Sequence, residues 1–357
     1  MGEHQTYFKS GDNKLRLVPL AEIRRVRSAI KDPIALVRVL ADIIRLNTLY
    51  MIMRAGSGHI GSSFSSADII TWLWTQEMLN PNEFGATEFD TYFSSKGHDA
   101  PALYSLLIAL EKLPFEKIHT LRRLGGLPGH PDVGTPYVAA NTGALGMGIS
   151  KARGMAIANN TLGKRGRFFV MTGDGELQEG AFWESLQPTA NGKFGEITVI
   201  VDRNKIQSDI WIKDVSDLGS LEDKLRAFGW EVARVDGHDA TALKNILVRF
   251  KTITDRPKII IADTVKGKGV SFMEKIAEDG YYKFHSGAPS PENYASALEE
   301  IYGRLNRELG LLKIEPVVLE SVDPLPKKLP VNPQKLVAAY ADELLKIARE
   351  RKDLIAL

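Results

Sequence analysis

The sequence predicts an α/β fold, in which a doubly wound, mostly parallel sheet carries helices on both faces. Short β-branched runs alternate with stretches of helical periodicity along the 357 residues, and this alternation is typical of repeated strand–helix–strand units. The clearest unit runs from Arg167 to Asp209, where apolar runs at 168–171 and 197–201 flank a helical stretch at 180–190. A crossover of this kind makes the two strands parallel, so their carboxyl ends meet at one sheet edge.

The remaining elements follow the same alternation. Asp32-Pro33 marks the start of an amphipathic helix at 34–53. Further strands are predicted at 92–95, 231–235 and 258–263, with the start of another at 353–357. Further helices are predicted at 67–79 and 101–113, from the 141–146 loop up to residue 158, and at 220–228, 240–252, 294–307 and 333–350.

Changes in composition divide the chain into four parts. Residues 1–30 are polar and then basic, which predicts an N-terminal extension, and residues 31–275 form the α/β domain. Residues 276–333 are rich in proline, which predicts a linker with short helices. We interpret residues 334–357 as the start of a further, incomplete domain.

The overall composition excludes several classes of function. Hydrophobic residues make up 44% of the chain and charged residues 25%, which is usual for a globular protein with a core. Lys plus Arg (46) nearly balance Asp plus Glu (44), so we expect no nucleic-acid partner. No apolar run is long enough to cross a membrane. The absence of cysteine excludes disulfides, thiolate nucleophiles and cysteine metal sites, and it fits a cytoplasmic location.

Two polar side chains follow the strands of the central unit. Asp174 comes directly after the first strand and Asn204 after the second, so both belong at the same sheet edge. Carboxylate and amide oxygens are ligands for Mg²⁺ or Ca²⁺. Gly173 and Gly175 leave backbone N–H groups open to a phosphate, and the following helix start adds its dipole. The unit therefore predicts a diphosphate held by a divalent cation.

Glycine precedes four of the seven histidines, His59, His98, His130 and His238, and each lies on a predicted loop. Their spacing is not that of a local zinc motif. Glycine lets the backbone approach a ligand while the imidazole ring forms a hydrogen bond to it. We expect such loops to contact one ligand at a shared sheet edge.

The motif GDGELQEG, followed by a crossover and Asn204, resembles the thiamine-diphosphate motif of transketolases. GSGHIGSS, SKGHDAPALY, LPGHPD and FHSGAP resemble the histidine motifs of that family. The resemblance implies that His59 and His130 face the substrate. It also implies that His98 contacts the diphosphate or the substrate, and that His285 lies near the diphosphate and the substrate carbonyl.

The same resemblance assigns the other cofactor contacts. NTGALGMGIS resembles the loop whose backbone, around Gly143 and Leu145, holds the aminopyrimidine. The turn from Gly173 to Glu176 binds the cofactor. The metal ligands are implied to be Asp174, Asn204 and the carbonyl of Ile206.

Glu179 matches a family glutamate that couples two active sites across a dimer, whereas we interpret His238 as structural. Met147 stands where the family usually has glutamine, and Ser208-Asp209 where Ile-Asp-Gly is common. Both departures lie beside the predicted cofactor.

The resemblance implies transfer of a two-carbon ketol unit from a ketose phosphate to an aldose, with thiamine diphosphate supplying a carbanion-stabilising ylid. In the family, the glutamate that activates the aminopyrimidine and most sugar-phosphate anchors lie in a second, pyrimidine-binding domain. Only the start of that domain is present here, at 334–357. We therefore expect this chain to be the diphosphate-binding half, inactive without a complementary domain or subunit, within a homodimer of such halves or a heterotetramer. Either a separate partner chain completes it, or the chain is a truncated piece of a longer enzyme.

Two alternatives remain open from the sequence. The chain could be a non-catalytic or regulatory subunit that binds thiamine diphosphate. It could also belong to another thiamine-dependent enzyme, such as a deoxyxylulose-phosphate synthase or a 2-oxo-acid dehydrogenase component.

Overall fold

The structure is a computed structural model that describes residues 14–325 and 336–351. The chain divides into two compact units, with the boundary between Asp323 and Pro324. The first unit holds the sheet and every residue of the candidate site. The predicted strand start at 353–357 lies outside the described residues.

The strands, in chain order, are β1 (Leu15–Leu17), β2 (Thr91–Ser94), β3 (Phe168–Gly173), β4 (Ile197–Arg203), β5 (Ile206–Gln207), β6 (Ile210–Trp211), β7 (Glu231–Asp236), β8 (Lys258–Asp263) and β9 (Glu320–Val322). The α-helices are α1 (Leu20–Ala29), α2 (Pro33–Ala55), α3 (Ile60–Trp72), α4 (Ala100–Ala109), α5 (Gly148–Thr161), α6 (Gly180–Asn191), α7 (Ile212–Ser216), α8 (Leu221–Ala227), α9 (Ala240–Lys251), α10 (Pro291–Leu311) and α11 (Leu336–Glu350). Short 3-10 turns cover Phe115–His119 and Gly175–Gln178, and a π-helical turn covers Leu73–Glu77.

Five strands form the central sheet in the order β2-β3-β4-β8-β7, and every neighbouring pair is parallel. This confirms the predicted parallel sheet. Strands β3 and β4 are direct neighbours, with Gly173 opposite Asp202 at the carboxyl end of the pair. Helix α6 connects them, as expected for a strand–helix–strand crossover. The residues that follow β3 and β4 therefore emerge side by side.

Both faces of the sheet are buried, which confirms the expected two helical layers. Along β3, Phe169 and Met171 pack into a core shared with helices α2, α3, α4 and α10. Phe168 and Val170, which alternate with them, pack into a second core shared with α5, α6 and α8. Each strand therefore has apolar residues at consecutive positions, which explains its short unbroken apolar run in the sequence.

Helix α3 differs most from the sequence prediction, which began a helix at residue 67. It begins at Ile60, and all 13 of its residues are buried. The hydroxyl of Ser66 donates to the carbonyl of Ser62 within the helix and does not cap its start. A helix buried on all sides shows no polar face, so its sequence lacks the periodicity that would mark its true start. His59 consequently stands at the N-terminus of a buried helix.

The predicted linker at 276–333 contains more structure than expected. Helix α10 has 21 residues, capped where Ser290 accepts the N–H of Asn293 at 3.2 Å. Its buried apolar face includes Ile301 and Leu305, and it packs against α2 in the main core. Residues up to Asp323 belong to the first compact unit. Helix α10 extends beyond the predicted 294–307 range at both ends, and Leu309 near its C-terminal end is buried.

The predicted N-terminal extension also joins this unit from residue 14 onward. Strand β1 pairs antiparallel with β9, placing Leu15 opposite Val322. Leu15 and Leu17 are buried in the main core. A pairing between strands near opposite ends of the chain leaves no local sequence signal.

Helix α11 stands in the second unit, within the helix predicted at 333–350, and it exposes Val337 and Tyr340. Across the described ranges, none of the helices has the length and apolar character needed to span a membrane.

Candidate active site

A cleft of about 210 Å³ opens at the carboxyl ends of β2, β3 and β4. Ligands of open parallel sheets bind at this edge. Its wall combines predicted and unpredicted residues: Ser62, Lys96, His98, Leu145, Gly173, Asp174, Gly175, Glu176, Gln178, Glu179, Asn204, Ile206, Gln207, Ser208, Lys266 and His285.

The structure brings Asp174 and Asn204 together in this cleft, as the strand pairing requires. Asp174 accepts the backbone N–H groups of Lys205 and Gly175. Asn204 accepts the N–H of Ile206 through Oδ1 at 3.1 Å. Burial, with the nearby Asp202 carboxylate, raises the pKa of Asp174 to about 7. A bound cation would offset that cost and hold the carboxylate ionised.

The donor set fits a hard divalent cation. The predicted ligands Asp174, Asn204 and Ile206 all line the cleft and offer carboxylate, amide and carbonyl oxygens, although the Ile206 carbonyl here accepts the Lys266 ammonium at 3.0 Å. Within 14–325 and 336–351, no group of three or more His, Asp or Glu residues is placed to hold a metal. The predicted ligands of the divalent cation do not form such a group, because only one of the three is a carboxylate.

Lys266 is a cleft residue that the sequence prediction missed. It follows β8 and is 3% exposed, and its ammonium donates to the carbonyls of Ile206 (3.0 Å) and Ser208 (2.9 Å). Burial lowers its pKa to about 8. A buried ammonium at this position can neutralise an anionic ligand. The signal was the run Lys266-Gly267-Lys268-Gly269, in which glycines let the backbone fold tightly around a lysine.

Glu176 joins three loops around the cleft. Its carboxylate accepts the hydroxyl of Ser95, the N–H of Gly146 at 2.8 Å and the N–H of Gly173 at 3.1 Å. Burial raises its pKa. The predicted role of Glu176 was cofactor binding, and its side chain here fixes the backbone around the cleft.

Four imidazole rings meet at the open side of the cleft. The ring centroids of His59 and His98 are 5.1 Å apart, and those of His59 and His285 are also 5.1 Å apart. His98 lies 5.9 Å from His285, and His130 lies 6.5 Å from His59. This set contains three of the four glycine-preceded histidines together with His285. We call it the histidine cluster.

Burial favours the neutral form of every ring in the histidine cluster. Burial is the main cause that lowers the pKa of His59 and of His285 to about 4. It also lowers the pKa of His98 and His130. Neutral imidazoles can each donate and accept one proton, which suits hydrogen bonding to sugar hydroxyls.

Several buried polar atoms in and around the cleft have no partner within the protein. They include Nδ1 of His59, Nδ1 of His285, Oγ of Ser62 and Oε1 of Gln207. Buried polar groups are almost always satisfied, so unpaired atoms that converge on one cleft indicate a polar ligand. The chemistry of the cleft therefore fits a diphosphate with a divalent cation and a hydroxyl-bearing substrate.

Close backbone contacts shape the wall behind the histidine cluster. Gly97 has φ of +31°, and a Cβ there would lie 2.1 Å from Oγ1 of Thr142 and 3.0 Å from Nδ1 of His130. Nδ1 of His130 lies 3.2 Å from the same hydroxyl. Glycine is therefore required for the β2 loop to approach the loops that carry His130 and Thr142.

His238 lies apart from the histidine cluster, as its structural interpretation expected. Its Nε2 accepts the N–H of Val265 at 2.9 Å, and its Nδ1 lies 2.7 Å from Oδ2 of Asp68. Because a backbone amide only donates, Nε2 carries no proton and Nδ1–H donates to Asp68. Asp68 is in turn paired with buried Arg45. His238 thus fixes the residue that precedes Lys266.

A buried ion pair lies behind the cleft. Lys96 contacts Asp202 and lies 3.4 Å from Asp99, and all three side chains are at most 3% exposed. Asp202 also accepts the hydroxyls of Ser65 (2.6 Å) and Thr264. Burial acts to raise the pKa of Asp202, but the Lys96 ammonium together with the hydroxyls of Ser65 and Thr264 lowers it overall. This network ties β2, α3, β4 and the loop after β8 together.

Gly143, Leu145 and Glu179 lie at the exposed rim. Leu145 is 37% exposed and Met147 is 38% exposed. Gly146 has φ of +80°, and a Cβ there would lie 2.8 Å from Cβ of Glu179. The predicted aminopyrimidine loop and the predicted coupling glutamate are therefore neighbours at the solvent side of the cleft.

Comparison with known proteins decides the family. A family model described as the transketolase thiamine diphosphate binding domain matches residues 37–305. The chain belongs to the transketolase family. This confirms the resemblance noted in its motifs, and it assigns thiamine diphosphate as the cofactor that the domain binds.

Two relatives of this transketolase-family chain are named as subunits. It is 35% identical over 264 residues to the 6-deoxy-6-sulfo-D-fructose transketolase subunit SqwG of Clostridium sp. (strain MSTE9), covering 73% of this chain and 94% of the relative. It is 34% identical over 268 residues to an apulose-4-phosphate transketolase subunit of Phocaeicola vulgatus, covering 74% of this chain and 92% of the relative.

Solved transketolases share the fold over a smaller part of their length. The Leishmania mexicana transketolase aligns with a TM-score of 0.68 and 26% identity, over 88% of this chain and 45% of that chain. The Campylobacter jejuni transketolase aligns with a TM-score of 0.66 and 27% identity, over 79% and 43% respectively. The chain therefore spans less than half the length of these solved transketolases.

Proposed function

We propose that this chain supplies the diphosphate-binding half of a transketolase active site. The complete site would transfer a two-carbon ketol unit between sugars, using thiamine diphosphate and a divalent cation. The observation that carries the proposal is convergence on one cleft. The histidine cluster, the Asp174–Asn204 pair and Lys266 come from separate segments and meet at the carboxyl edge of one sheet.

In this proposal, each group of cleft residues binds the part of the cofactor or the cation that suits its chemistry. Asp174, Asn204 and the Ile206 carbonyl hold Mg²⁺ or Ca²⁺, since all three offer oxygen ligands. Lys266, His98 and the turn from Gly173 to Glu176 hold the diphosphate, although the N–H groups of Gly173 and Gly175, which the sequence left open to a phosphate, donate to Glu176 and Asp174 in the structure. The rim residues Gly143 and Leu145 hold the aminopyrimidine through their backbone. When bound, the cofactor supplies a carbanion-stabilising ylid.

The histidines act on the sugar. His59, His130 and His285 hydrogen-bond the hydroxyl and carbonyl oxygens of the substrate and transfer protons to or from them. Their lowered pKa values keep them neutral, so each can donate at one ring nitrogen and accept at the other. The unpaired Nδ1 atoms of His59 and His285 are available for this role.

The proposal requires a partner. The pyrimidine-binding domain would come from a complementary chain or domain and would cover the rim at Leu145 and Met147, which is exposed. Glu179 would then reach across a dimer or heterotetramer and couple two sites. The relatives named as subunits, which this chain covers almost completely, favour a separate complementary chain. We place the assembly in the cytoplasm, which the cysteine-free sequence favours.

The substrate class follows from the same relatives. Their names specify 6-deoxy-6-sulfo-D-fructose and apulose 4-phosphate, which are sugars that carry a sulfo group or a phosphate. We propose that this chain also acts on a sugar that ends in a tetrahedral oxyanion.

Titration of thiamine diphosphate into the full chain, with and without Mg²⁺, tests the cofactor half of the proposal. Trp211 pairs with Ile206 beside the cleft, so we expect tryptophan fluorescence to change on binding. We expect saturable binding that depends on Mg²⁺, and no ketol transfer until the complementary chain is added. Robust turnover by this chain alone would refute the division of the site between two chains.

Substitution of the histidines separates catalysis from simple cofactor binding. In the assembled complex, His59→Ala and His130→Ala should each reduce ketol transfer by about 10²-fold or more, the usual contribution of a positioned acid or base. Their affinity for thiamine diphosphate should stay near that of the parent chain. Unchanged turnover in both variants would instead favour a non-catalytic, cofactor-binding subunit.

A further inference from the structure

The loop that leads to His130 holds one arginine in an unusual backbone conformation. Arg122 has φ of +55°, in the left-handed region that arginine rarely adopts. The loop is fixed in this shape, because the N–H of Arg122 donates to the carbonyl of Leu127 at 2.7 Å. The N–H of Leu127 donates to the carbonyl of Thr120 at 3.1 Å. A strained residue that the surrounding hydrogen bonds hold in place is characteristic of functional positions.

This conformation places the Arg122 guanidinium beside the histidine cluster. Nη1 donates to Oγ of Ser57 at 3.2 Å, two residues before His59. On the other side, a Cβ added at Gly129 would lie 3.0 Å from Cζ of Arg122. The guanidinium therefore lies against the bare backbone of the residue that precedes His130. Its positive charge also contributes to the lowered pKa of His59 and of His130.

Arg122 has no carboxylate partner among the residues that the structure describes. Most other arginines of the first unit do, for example Arg167 with Asp90 and Arg234 with Asp263. The side chain is exposed, whereas His98 of the neighbouring histidine cluster is only partly exposed. An arginine whose charge is not neutralised by the protein, at the open end of a ligand cleft, is available to an anion from solution.

We propose that Arg122 is a specificity-determining residue that binds the anionic end of the sugar substrate, a phosphate or a sulfonate group. The histidine cluster would hold the hydroxyls, and the planar guanidinium would bind two oxygens of the terminal group. This inference rests on the proposed ketol transfer and deepens it. It also places one anchor for the anionic group on this chain, although the family resemblance implies that most anchors lie on the complementary domain.

In this proposal, the site selects substrates by the charge and the geometry of their terminal group. Arg offers a fork of N–H donors that matches a tetrahedral oxyanion, whereas Lys offers a single ammonium. Arg122→Gln should therefore lose the preference for anionic sugars, and Arg122→Lys should keep part of it. Gly129→Ala should have an effect similar to Arg122→Gln, because its Cβ would displace the guanidinium without removing it.

Arg123 provides a matched control. Its Nη2 donates to the carbonyl of Arg54 at 3.0 Å, so it makes a different contact from Arg122 although it is the next residue in the chain. Arg123→Gln removes the same charge from the same loop. A general electrostatic effect would therefore appear in both variants, whereas a specific contact would appear only in Arg122→Gln.

The test measures kcat/KM of the assembled enzyme for matched acceptors, ribose 5-phosphate and ribose, and for matched donors, fructose 6-phosphate, 6-deoxy-6-sulfofructose and fructose. We expect Arg122→Gln to lower the preference for the anionic sugars about tenfold, as loss of one charge-assisted contact does. Turnover of the uncharged sugars by Arg122→Gln should fall much less than turnover of the anionic sugars, and Arg123→Gln should match the parent on every sugar. The phosphate and sulfonate arms identify which terminal group the site prefers.

The outcomes separate this inference from the proposed function. If the parent chain fails to bind thiamine diphosphate or the assembly fails to transfer ketol units, the proposed function is wrong whatever Arg122 does. If the parent assembly is active and Arg122→Gln keeps its full preference for anionic sugars, the inference alone is overturned. An equal loss in Arg123→Gln would likewise overturn it, because the effect would then reflect net charge alone.

Discussion

Replacing Lys96 by methionine removes the cation of the buried ion pair behind the cleft while keeping a side chain of similar length. Lys96 is 2% exposed and its Asp202 partner is 0% exposed, so water cannot solvate the carboxylate that remains. Breaking a buried pair from one side costs about 3–5 kcal/mol of unfolding free energy. We expect a loss of this size for Lys96→Met, measured at pH 7 by urea denaturation with tryptophan fluorescence.

The loss should depend on pH in a defined direction. Lys96 lowers the pKa of Asp202 in the folded state. This carboxylate therefore contributes stability at pH values above its unfolded pKa, and that stability is lost as the pH falls through the folded pKa. The variant lacks that contribution and keeps an unpaired carboxylate, so its deficit should shrink in acid as Asp202 becomes protonated.

An exposed pair and a double variant serve as controls. Lys112 and Glu83 are 28% and 37% exposed, so Lys112→Met should cost only about 0–1 kcal/mol. The double variant Lys96→Met with Asp202→Asn removes both charges and should recover much of the loss. A deficit for Lys96→Met no larger than that for Lys112→Met would show that the pair does not stabilise the loops of the cleft.

Three further predictions concern binding of the cofactor, measured by calorimetry on the full chain. Asp174→Asn should weaken Mg²⁺-dependent binding of thiamine diphosphate at least about tenfold, because it removes the carboxylate from the cation set. Binding should be tightest between about pH 7 and 8, since Asp174 becomes protonated below its pKa of about 7 and Lys266 becomes neutral above its pKa of about 8. His238→Asn should weaken binding about tenfold, whereas His238→Gln should retain it, because only glutamine places an acceptor near the N–H of Val265.

Each of these has a contrary outcome. Equal affinity of Asp174→Asn with and without Mg²⁺, at the value of the parent chain, would remove Asp174 from the cation set. Lys266→Arg should abolish the loss of affinity above pH 8, since arginine stays charged; a persisting loss would assign it to another group. If His238→Asn retains affinity and His238→Gln loses it, the bond to Asp68 matters and the bond to Val265 does not.

The sequence predicts those features whose signal is local. The strands β3 and β4 appear as short apolar runs, and the parallel crossover between them places Asp174 beside Asn204 by geometry alone. The pattern of a glycine before a histidine identifies three members of the histidine cluster in the sequence. Family resemblance adds His285, Gly143, Leu145 and Glu179, which no spacing argument would single out.

The remainder depends on contacts between distant segments. Lys96 and Asp202 are 106 residues apart in the chain, and each is an ordinary charged residue in its local context. Lys266 belongs to a loop rich in lysine and glycine, a composition typical of an exposed loop. Only the folded structure shows that this lysine lies in the cleft. Helix α3 loses its periodicity because it is buried on all sides. Arg122 is one of two adjacent arginines, and only the folded structure, through its backbone conformation and its contact with Ser57, distinguishes it from Arg123.

The carboxylate of Glu176 has a consequence for engineering. This one side chain accepts hydrogen bonds from Ser95, Gly146 and Gly173. The segments after β2 and β3 and the loop before α5 are therefore held by the same carboxylate. Exchanging any one of these loops for that of a relative would displace the other two. A successful transplant of sugar preference or cofactor affinity will therefore have to carry all three segments together with their common acid.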